Sequence, residues 1–480
     1  MHSIQIFWKN SIIYGLGSML IRAISFFLLP LYTNAFTKSE IGYIFLVFTF
    51  ISFAQIIYFY GQDAAFIKFY KSNSPQQKII GYTSYVLLII TSIVLTVIII
   101  SFSDSIVIRL LAVDKGIWIV YSAFILFFDT ISSRVMLVLR IKEKSSIFLL
   151  ISLITVLVSI LTSYFLVISL NYGVDGVFLG TLSGVIIKFV FLLPYQITIL
   201  LNGQFLFSIA KKLFTFGFPF FISAFFYLIL ELSDRYFVFW ILGPEAVGMY
   251  SIGYKIGSLG LFIISAFNLG WQPFYIKIGK ENNAEIIFGE IGTSFILFLI
   301  TCWALITFWV PIFMQIQVGS SYLIGKNFWG STDIITIIFL SYIFYAGYIV
   351  LMPSIYLLDK QVWSPIIRGS GAAINIVLNI ILINYLGLIG ASLATLVAYI
   401  FMFLFILYKS YYWFKILCNW KLISLHFVLT GFFIMCFRTI NNELLLSIFF
   451  TIVYLIMIVL IFKSKIRFFN NLKYIQSLFR

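Results

Sequence analysis

The chain has 480 residues, of which 62% are hydrophobic, 20% aromatic and only 10% charged, with a mean hydropathy of +1.10. Soluble chains carry about 25% charged residues, so this composition excludes a soluble globular protein and marks an integral membrane protein. The net charge of +15 would suit a nucleic-acid partner, but the basic residues follow membrane topology instead, and no nucleic acid is expected.

A helix needs about 20 apolar residues to cross the hydrocarbon. Runs of that kind predict fourteen spans, near 11–34, 41–63, 79–102, 117–138, 147–170, 175–197, 214–241, 247–272, 286–312, 332–357, 363–384, 388–408, 422–438 and 443–462. The stretch VLLIITSIVLTVIII (86–100) is apolar on every face, which excludes the in–out alternation of a transmembrane β-barrel. The expected fold is all-α. The amino terminus MHSIQIFWKN shows no A-x-A cleavage site, so the first helix is expected to be retained.

Span 1 carries Arg22 near its middle, and the turn TKSEIGYI (37–44) leads into span 2, which holds Gln55 and ends at Asp63. Span 4 holds Asp129 and, in its inner half, Arg134; span 6 holds Lys188 near its middle. Span 7 carries Glu231, Asp234 and Arg235 at i, i+3 and i+4, on one helix face, and Lys255 follows in span 8. At 1.5 Å of rise per residue, Asp234 and Lys255 lie at similar depths below the Gly243-Pro244 turn, where they can meet. Asn268, Trp271 and Gln272 are candidates to line a cavity, though aromatic and amide residues in such helices more often serve packing. Spans 9–10 and 12–14 carry no charge in their interiors.

A charge at the bilayer centre costs at least about 2.5–3.5 kcal/mol, so each needs a partner, a wet cavity or a function. The membrane core holds five bases (Arg22, Arg134, Lys188, Arg235, Lys255) against three acids (Asp129, Glu231, Asp234), with Asp63 at the inner edge. Mutually satisfied ion pairs account for part of this set, Asp234 with Lys255 above all. Arg22 and Lys188 have no acid on their own spans, so their partners come from other helices or from an anionic ligand. A diphosphate is the obvious membrane-associated anion. Asp63, Asp129, Glu231 and Asp234 are the candidates for ion pairing or for coupling to a proton or sodium ion.

Twenty-one basic residues fall on the side of the first residues and five on the other, which orients both termini to the cytoplasm. No connection is long enough for a soluble domain, and no phosphate-binding Gly-rich loop appears, so no catalytic domain is expected. The three cysteines and two histidines lack metal-ligand spacing; neither a metal nor another cofactor is expected. GVDGVFLGTL (173–182) is echoed by GLIGASLATL (387–396), an offset of 214, and Gly42 of the first turn by Gly248 of GPEAVGMY (243–250), an offset of 206. Six spans separate each pair, an even number, so a duplication would be a parallel repeat of six-helix lobes. The boundaries are 1–204, 205–415, and 416–480 for two added helices and a basic tail. Glycine spacing that serves helix packing alone is the simpler alternative.

Several stretches resemble one family. NSIIYGLGSMLIRAISFFLLPLYTNAFTKSEIGYI (10–44), YGQDAAFIKFYK (60–71), DRYFVFWILGPEAVGMYSIGYKIG (234–257), AFNLGWQPFYIK (266–277) and GLIGASLATLVAY (387–399) look like bacterial polysaccharide transporters, the O-antigen repeat-unit flippases of Wzx type. The resemblance implies the fold of the multidrug and toxin extrusion transporters and the lipid II flippase. It also implies alternating access in the bacterial cytoplasmic (inner) membrane, no enzymatic step, and as cargo an undecaprenyl-diphosphate-linked oligosaccharide. Its partners would be membrane lipids and the polymerase and chain-length proteins of the same pathway. Asp234 and Arg235 match the family's Asp-Arg pair, Gly248 and Tyr250 its Gly-x-Tyr turn. The alternative of the same fold is a proton- or sodium-coupled drug exporter, against which the excess of bases speaks.

Overall fold

The structure is a computed structural model that describes residues 26, 28–70, 76–201, 203–319, 321–439 and 444–462. Arg22 and most of the first expected span lie outside them. Eleven of the described helices are long and apolar enough to cross a membrane. They carry twelve of the expected spans, because Trp363–Trp413 holds two that part at Gly387, where φ is +58°. A shorter apolar helix, Leu444–Val459, falls on the expected last span. This is a multi-pass helical membrane protein.

The chain forms two compact units, one up to Ser251 and one from Ile252. In the first, α1 (Leu28–Ala35), α2 (Lys38–Phe59), α3 (Gln62–Phe69), α4 (Gln77–Ser101), α5 (Ser103–Leu111), α6 (Gly116–Ile141), α7 (Ser145–Tyr164) and α8 (Gly173–Leu201) are followed by α9 (Phe207–Leu232), α10 (Asp234–Leu242) and the start of α11 (Pro244–Gly257). The TKSE turn sets the start of α2 through a capping box: Glu40 N donates to Thr37 Oγ1 (3.3 Å) and Thr37 N to Glu40 Oε2 (2.8 Å). Two orphan amides at the helix start are thereby satisfied.

One sequence expectation changes here. Span 2 does not run on to Asp63: Tyr60 and Gly61 turn left-handed (φ +32° and +77°), ending α2 and placing Asp63 on the separate α3. Span 7 continues through Ser233, whose torsions stay helical (φ −67°, ψ −26°), with Glu231 near the end of α9 and Asp234 and Arg235 at the start of α10.

Two glycine contacts bind span 2 to spans 7 and 8. A Cβ on Gly42 would stand 2.0 Å from the Pro244 carbonyl oxygen, and one on Gly248 2.0 Å from that of Lys38. The contact is reciprocal under the 206-residue offset, since 38 maps to 244 and 42 to 248. At the other end of α2, a Cβ on Gly61 would stand 2.0 Å from the Gly217 carbonyl oxygen and one on Gly217 2.7 Å from that of Gly61. Only residues without side chains allow backbones so close.

In the second unit, α12 (Leu259–Ile278) precedes α13 (Ala284–Gln315), a two-residue hairpin of β1 (Gln317–Val318) and β2 (Ser321–Tyr322), α14 (Thr332–Val350), the short α15 (Pro353–Tyr356), α16 (Trp363–Trp413), α17 (Trp420–Arg438) and α18 (Leu444–Phe462). Here α14 packs against α16 and α13, Tyr345 of α14 lying 5.1 Å from Tyr399 of α16, and α12 stacks on α13 with Phe267 3.8 Å from Phe295.

Candidate substrate-binding site

Asp129 and Arg134 are five residues apart on α6, about 140° around the helix, so they cannot share a partner face. Each accordingly turns to a different helix. Asp129 takes an ion pair from the Lys188 ammonium of α8 through Oδ1, and its Oδ2 accepts from Gln55 Nε2 of α2 at 2.6 Å. Ser133, one turn on from Asp129, approaches the same oxygen at 3.5 Å. The base on span 6 that has no acid on its own helix thus finds one on span 4, and the candidate cavity amide Gln55 completes the group.

Arg134 is fully buried, and its Nη2 lies 3.0 Å from Asp63 Oδ1, whose side chain is 47% exposed. The guanidinium also donates to Gln62 Oε1 (3.3 Å) and stands over the Phe66 ring at 4.4 Å. Gln62, Asp63 and Phe66 all come from α3, so the left-handed turn that ends α2 is what presents a carboxylate, an amide and an aromatic face to one arginine.

A cavity of about 320 Å³ opens beside the two ion pairs. Its polar lining consists of Asp63, Ser133, Arg140, Ser152, Thr155 and Lys188. The cavity thus meets one member of each pair, the acid of one and the base of the other. The Lys188 ammonium has three donors and gives one to Asp129, so it can hold an anion without abandoning its partner. Of the lining residues, sequence reasoning missed Ser133, Ser152 and Thr155 and counted Arg140 only as a topology signal. Their hydroxyls gave no sign, because Ser152 and Thr155 bond back to the Phe148 and Ile151 carbonyls as serine and threonine generally do in helices.

Asp234, in contrast, sits in a closed group. Its carboxylate receives Arg235 Nη1 on Oδ1 (3.2 Å) and the Tyr250 hydroxyl on Oδ2, and Arg235 Nη1 also donates to the Glu231 carbonyl at 2.9 Å. Asp234 is fully buried, with Arg235 5% and Glu231 6% exposed. The group ties the end of α9 to α10 and α11. Lys255 belongs to the second unit and is half-buried. There too, Trp271 is buried and donates to the Ile349 carbonyl at 3.2 Å, which makes it a packing residue; Asn268 is half-buried and Gln272 exposed.

The profile of the family described as polysaccharide biosynthesis protein matches residues 7–278, more than half of the chain. The chain belongs to that family. Every candidate residue lies inside the matched stretch. Among curated proteins none matches the chain. Among solved structures, a lipid II flippase MurJ in an inward closed conformation is similar, with a TM-score of 0.72 at 18% identity over 95% of this chain and 100% of that one. An inward-facing multidrug resistance MATE family transporter of the MOP superfamily follows with a TM-score of 0.60, 16% identity, and 84% and 95% covered. A MOP superfamily transporter from Pyrococcus furiosus, titled for the reverse polarity of its binding pocket, gives 0.55, 14% identity, and 84% and 94% covered. At these identities the likeness is one of fold, and the fold is that of MurJ and the MATE transporters. The chain is thus a member of the polysaccharide biosynthesis protein family with the fold of MurJ and the MATE transporters.

Proposed function

We propose that the protein is a flippase that carries undecaprenyl-diphosphate-linked oligosaccharide repeat units from the cytoplasmic to the periplasmic face of the bacterial inner membrane, by alternating access, for O-antigen, capsule or exopolysaccharide assembly. The observation that carries this reading is the polar cavity in which Lys188 and Arg140 face hydroxyl groups inside an otherwise apolar helix bundle. Arg140 lies eleven residues beyond Asp129 on α6, about 16 Å nearer the helix end, and Lys188 sits level with Asp129. The two bases therefore mark a path for an anion from the rim inward, and Ser133, Ser152 and Thr155 supply the scattered hydrogen bonds that sugars require.

In this reading both termini are cytoplasmic, and Arg22 and Lys255 are further diphosphate contacts assigned on charge alone. The lobes 1–204 and 205–415 are the repeated units that move, and the glycine contacts at the two ends of α2 are the places where span 2 parts from spans 7 and 8. A drug exporter of the same fold fits less well. Asp63, Asp129 and Asp234 are all matched by bases, which leaves none of them over to attract a cationic drug.

The test is complementation of a flippase-deletion strain by Lys188→Met alone and together with Asp129→Asn, membrane levels being measured in parallel. Lys188→Met lowers flipping at least about tenfold, the worth of one charge-assisted contact. The double variant regains normal membrane levels, since no charge is left unpaired, but not flipping. Wild-type flipping by the double variant would make the pair purely structural and overturn the assignment.

A further inference from the structure

A second cavity of about 610 Å³ lies on other helices and is apolar. Its walls are Ile57 of α2, Leu87, Ile90 and Val94 of α4, and Phe207 and Phe214 of α9, and among the described residues the charged one in it is Lys211. The spacing of these residues is regular. Leu87, Ile90 and Val94 recur at i, i+3 and i+7, and Phe207, Lys211 and Phe214 at i, i+4 and i+7, so each helix turns a continuous stripe to the groove for about 10 Å of its length. Ile57, Ile90, Val94, Phe207 and Phe214 are all exposed, which opens the groove on the surface of helices that cross the membrane.

Lys211 stands about one turn inside α9, and among the described residues no acid lines the groove with it. An ammonium at the edge of an apolar slot is costly to desolvate and is relieved either by extending to water or by an anion. An apolar slot with one cation at its end has the polarity of an anionic amphiphile in reverse. We propose that the groove binds an anionic phospholipid of the bilayer, an acyl chain lying along α4 between α2 and α9 and the phosphate on Lys211.

The occupant is a bilayer phospholipid rather than the lipid carrier of a transported sugar for a geometric reason. The polar cavity is built on α3, α6, α7 and α8 and shares no lining residue with this groove. A carrier with its diphosphate at Lys188 has no place for a second phosphate at Lys211. The site does not depend on what is transported. It does bear on the transport scaffold, because a chain lodged between α2, α4 and α9 spans the same helices that meet at Gly61 and Gly217. Bound lipid would hold that contact together.

The experiment uses the purified full chain in mild detergent, exposed to equimolar phosphatidylglycerol and phosphatidylcholine, with retained lipid counted by native mass spectrometry. The wild type retains phosphatidylglycerol about fivefold over phosphatidylcholine, the effect of one basic residue on an anionic lipid. Lys211→Gln brings the two to parity, and Lys212→Gln, whose ammonium lies over the Phe69 ring at 4.4 Å, does not. Val94→Trp, a change at a lipid-facing position, fills the slot and lowers retention of both. An undiminished preference in Lys211→Gln, unchanged retention in Val94→Trp, or retention of added undecaprenyl phosphate to the exclusion of both phospholipids would each overturn the proposal.

Discussion

The two units spend their polar residues differently. In the first, Lys188 meets Asp129, Arg134 meets Asp63 and Arg235 meets Asp234, all along membrane-spanning stretches. In the second, the stretch from Gly369 to Tyr408 holds no charged residue at all, and its buried polar contacts are neutral: Asn379 donates to Asn375 (3.0 Å) and Asn375 to Thr395 (3.4 Å). Its ion pair Arg438–Asp333 sits at helix ends, with side chains 40% and 50% exposed. Yet the scaffolds correspond. Gly173 and Gly387 both adopt positive φ (+55° and +58°), and three residues on, a Cβ at Gly176 or Gly390 would strike the preceding segment, at 3.0 Å from Val167 and 2.1 Å from the Leu382 oxygen. The glycine geometry recurs in both units, whereas the described ion pairs away from helix ends lie in the first, which takes in span 7. Charge serves the cavity at Lys188 and Asp63 and the helix packing at Asp234 and Arg235.

The sharpest way to break that comparison is to move a charge across. Lys188 follows Gly173 by 15 residues and Met402 follows Gly387 by 15, so Met402 is the counterpart of Lys188 in the second unit. Met402 is 1% exposed and reaches toward Gly371 rather than toward a carboxylate. Met402→Lys should therefore cost at least about 3 kcal/mol and abolish accumulation in the membrane, whereas Met402→Leu, which conserves volume, should cost under about 1.5 kcal/mol. Quantitative immunoblotting of membrane fractions reads both. Normal levels of Met402→Lys would mean that the second unit tolerates buried charge as the first does, and the contrast would collapse.

A smaller effect separates the two kinds of ion pair. Asp63→Asn leaves Arg134, fully buried, with amide partners only, and since Asp63 is half in solvent the loss should be about 2 kcal/mol rather than the larger cost of breaking a fully buried pair. Asp333→Asn, at an exposed pair, should change stability by less than about 0.5 kcal/mol. Unfolding of the purified variants in one detergent decides the matter: equal shifts would show that burial of the arginine does not set the value of its partner.

Part of this could be read from the chain. Uninterrupted apolar runs such as 86–100 permit nothing but a spanning helix, so the spans and the helical fold were legible, as was the need of Lys188 for an acid on another helix. The glycine echoes were legible for the same kind of reason, because Gly42, Gly248, Gly173 and Gly387 sit where a side chain would collide with backbone or strain it. Which acid meets which base was not. Asp129 and Arg134 are near in sequence, but they point to different neighbours, and that choice is made by tertiary packing. The turn that sets Asp63 on its own helix was marked only by Gly61, a stop signal that the surrounding apolar run outweighed, and nothing announced that Tyr60 beside it would be left-handed too.

The smallest expected effect has the opposite sign and concerns glycine. Gly431 lies inside α17, and a Cβ placed on it meets nothing within 4 Å. An interior helical glycine loses about 0.5–1 kcal/mol relative to alanine, because the unfolded chain has more freedom to give up. Gly431→Ala should therefore raise the unfolding midpoint slightly and leave flipping unchanged. The first unit offers no such room at Gly184, where a Cβ would stand 1.9 Å from Ser159 Oγ and 2.6 Å from the Thr155 carbonyl oxygen, beside the polar cavity. A lowered midpoint in Gly431→Ala would mean that this face of α17 is closely packed in the membrane, as the second unit already is at Gly390.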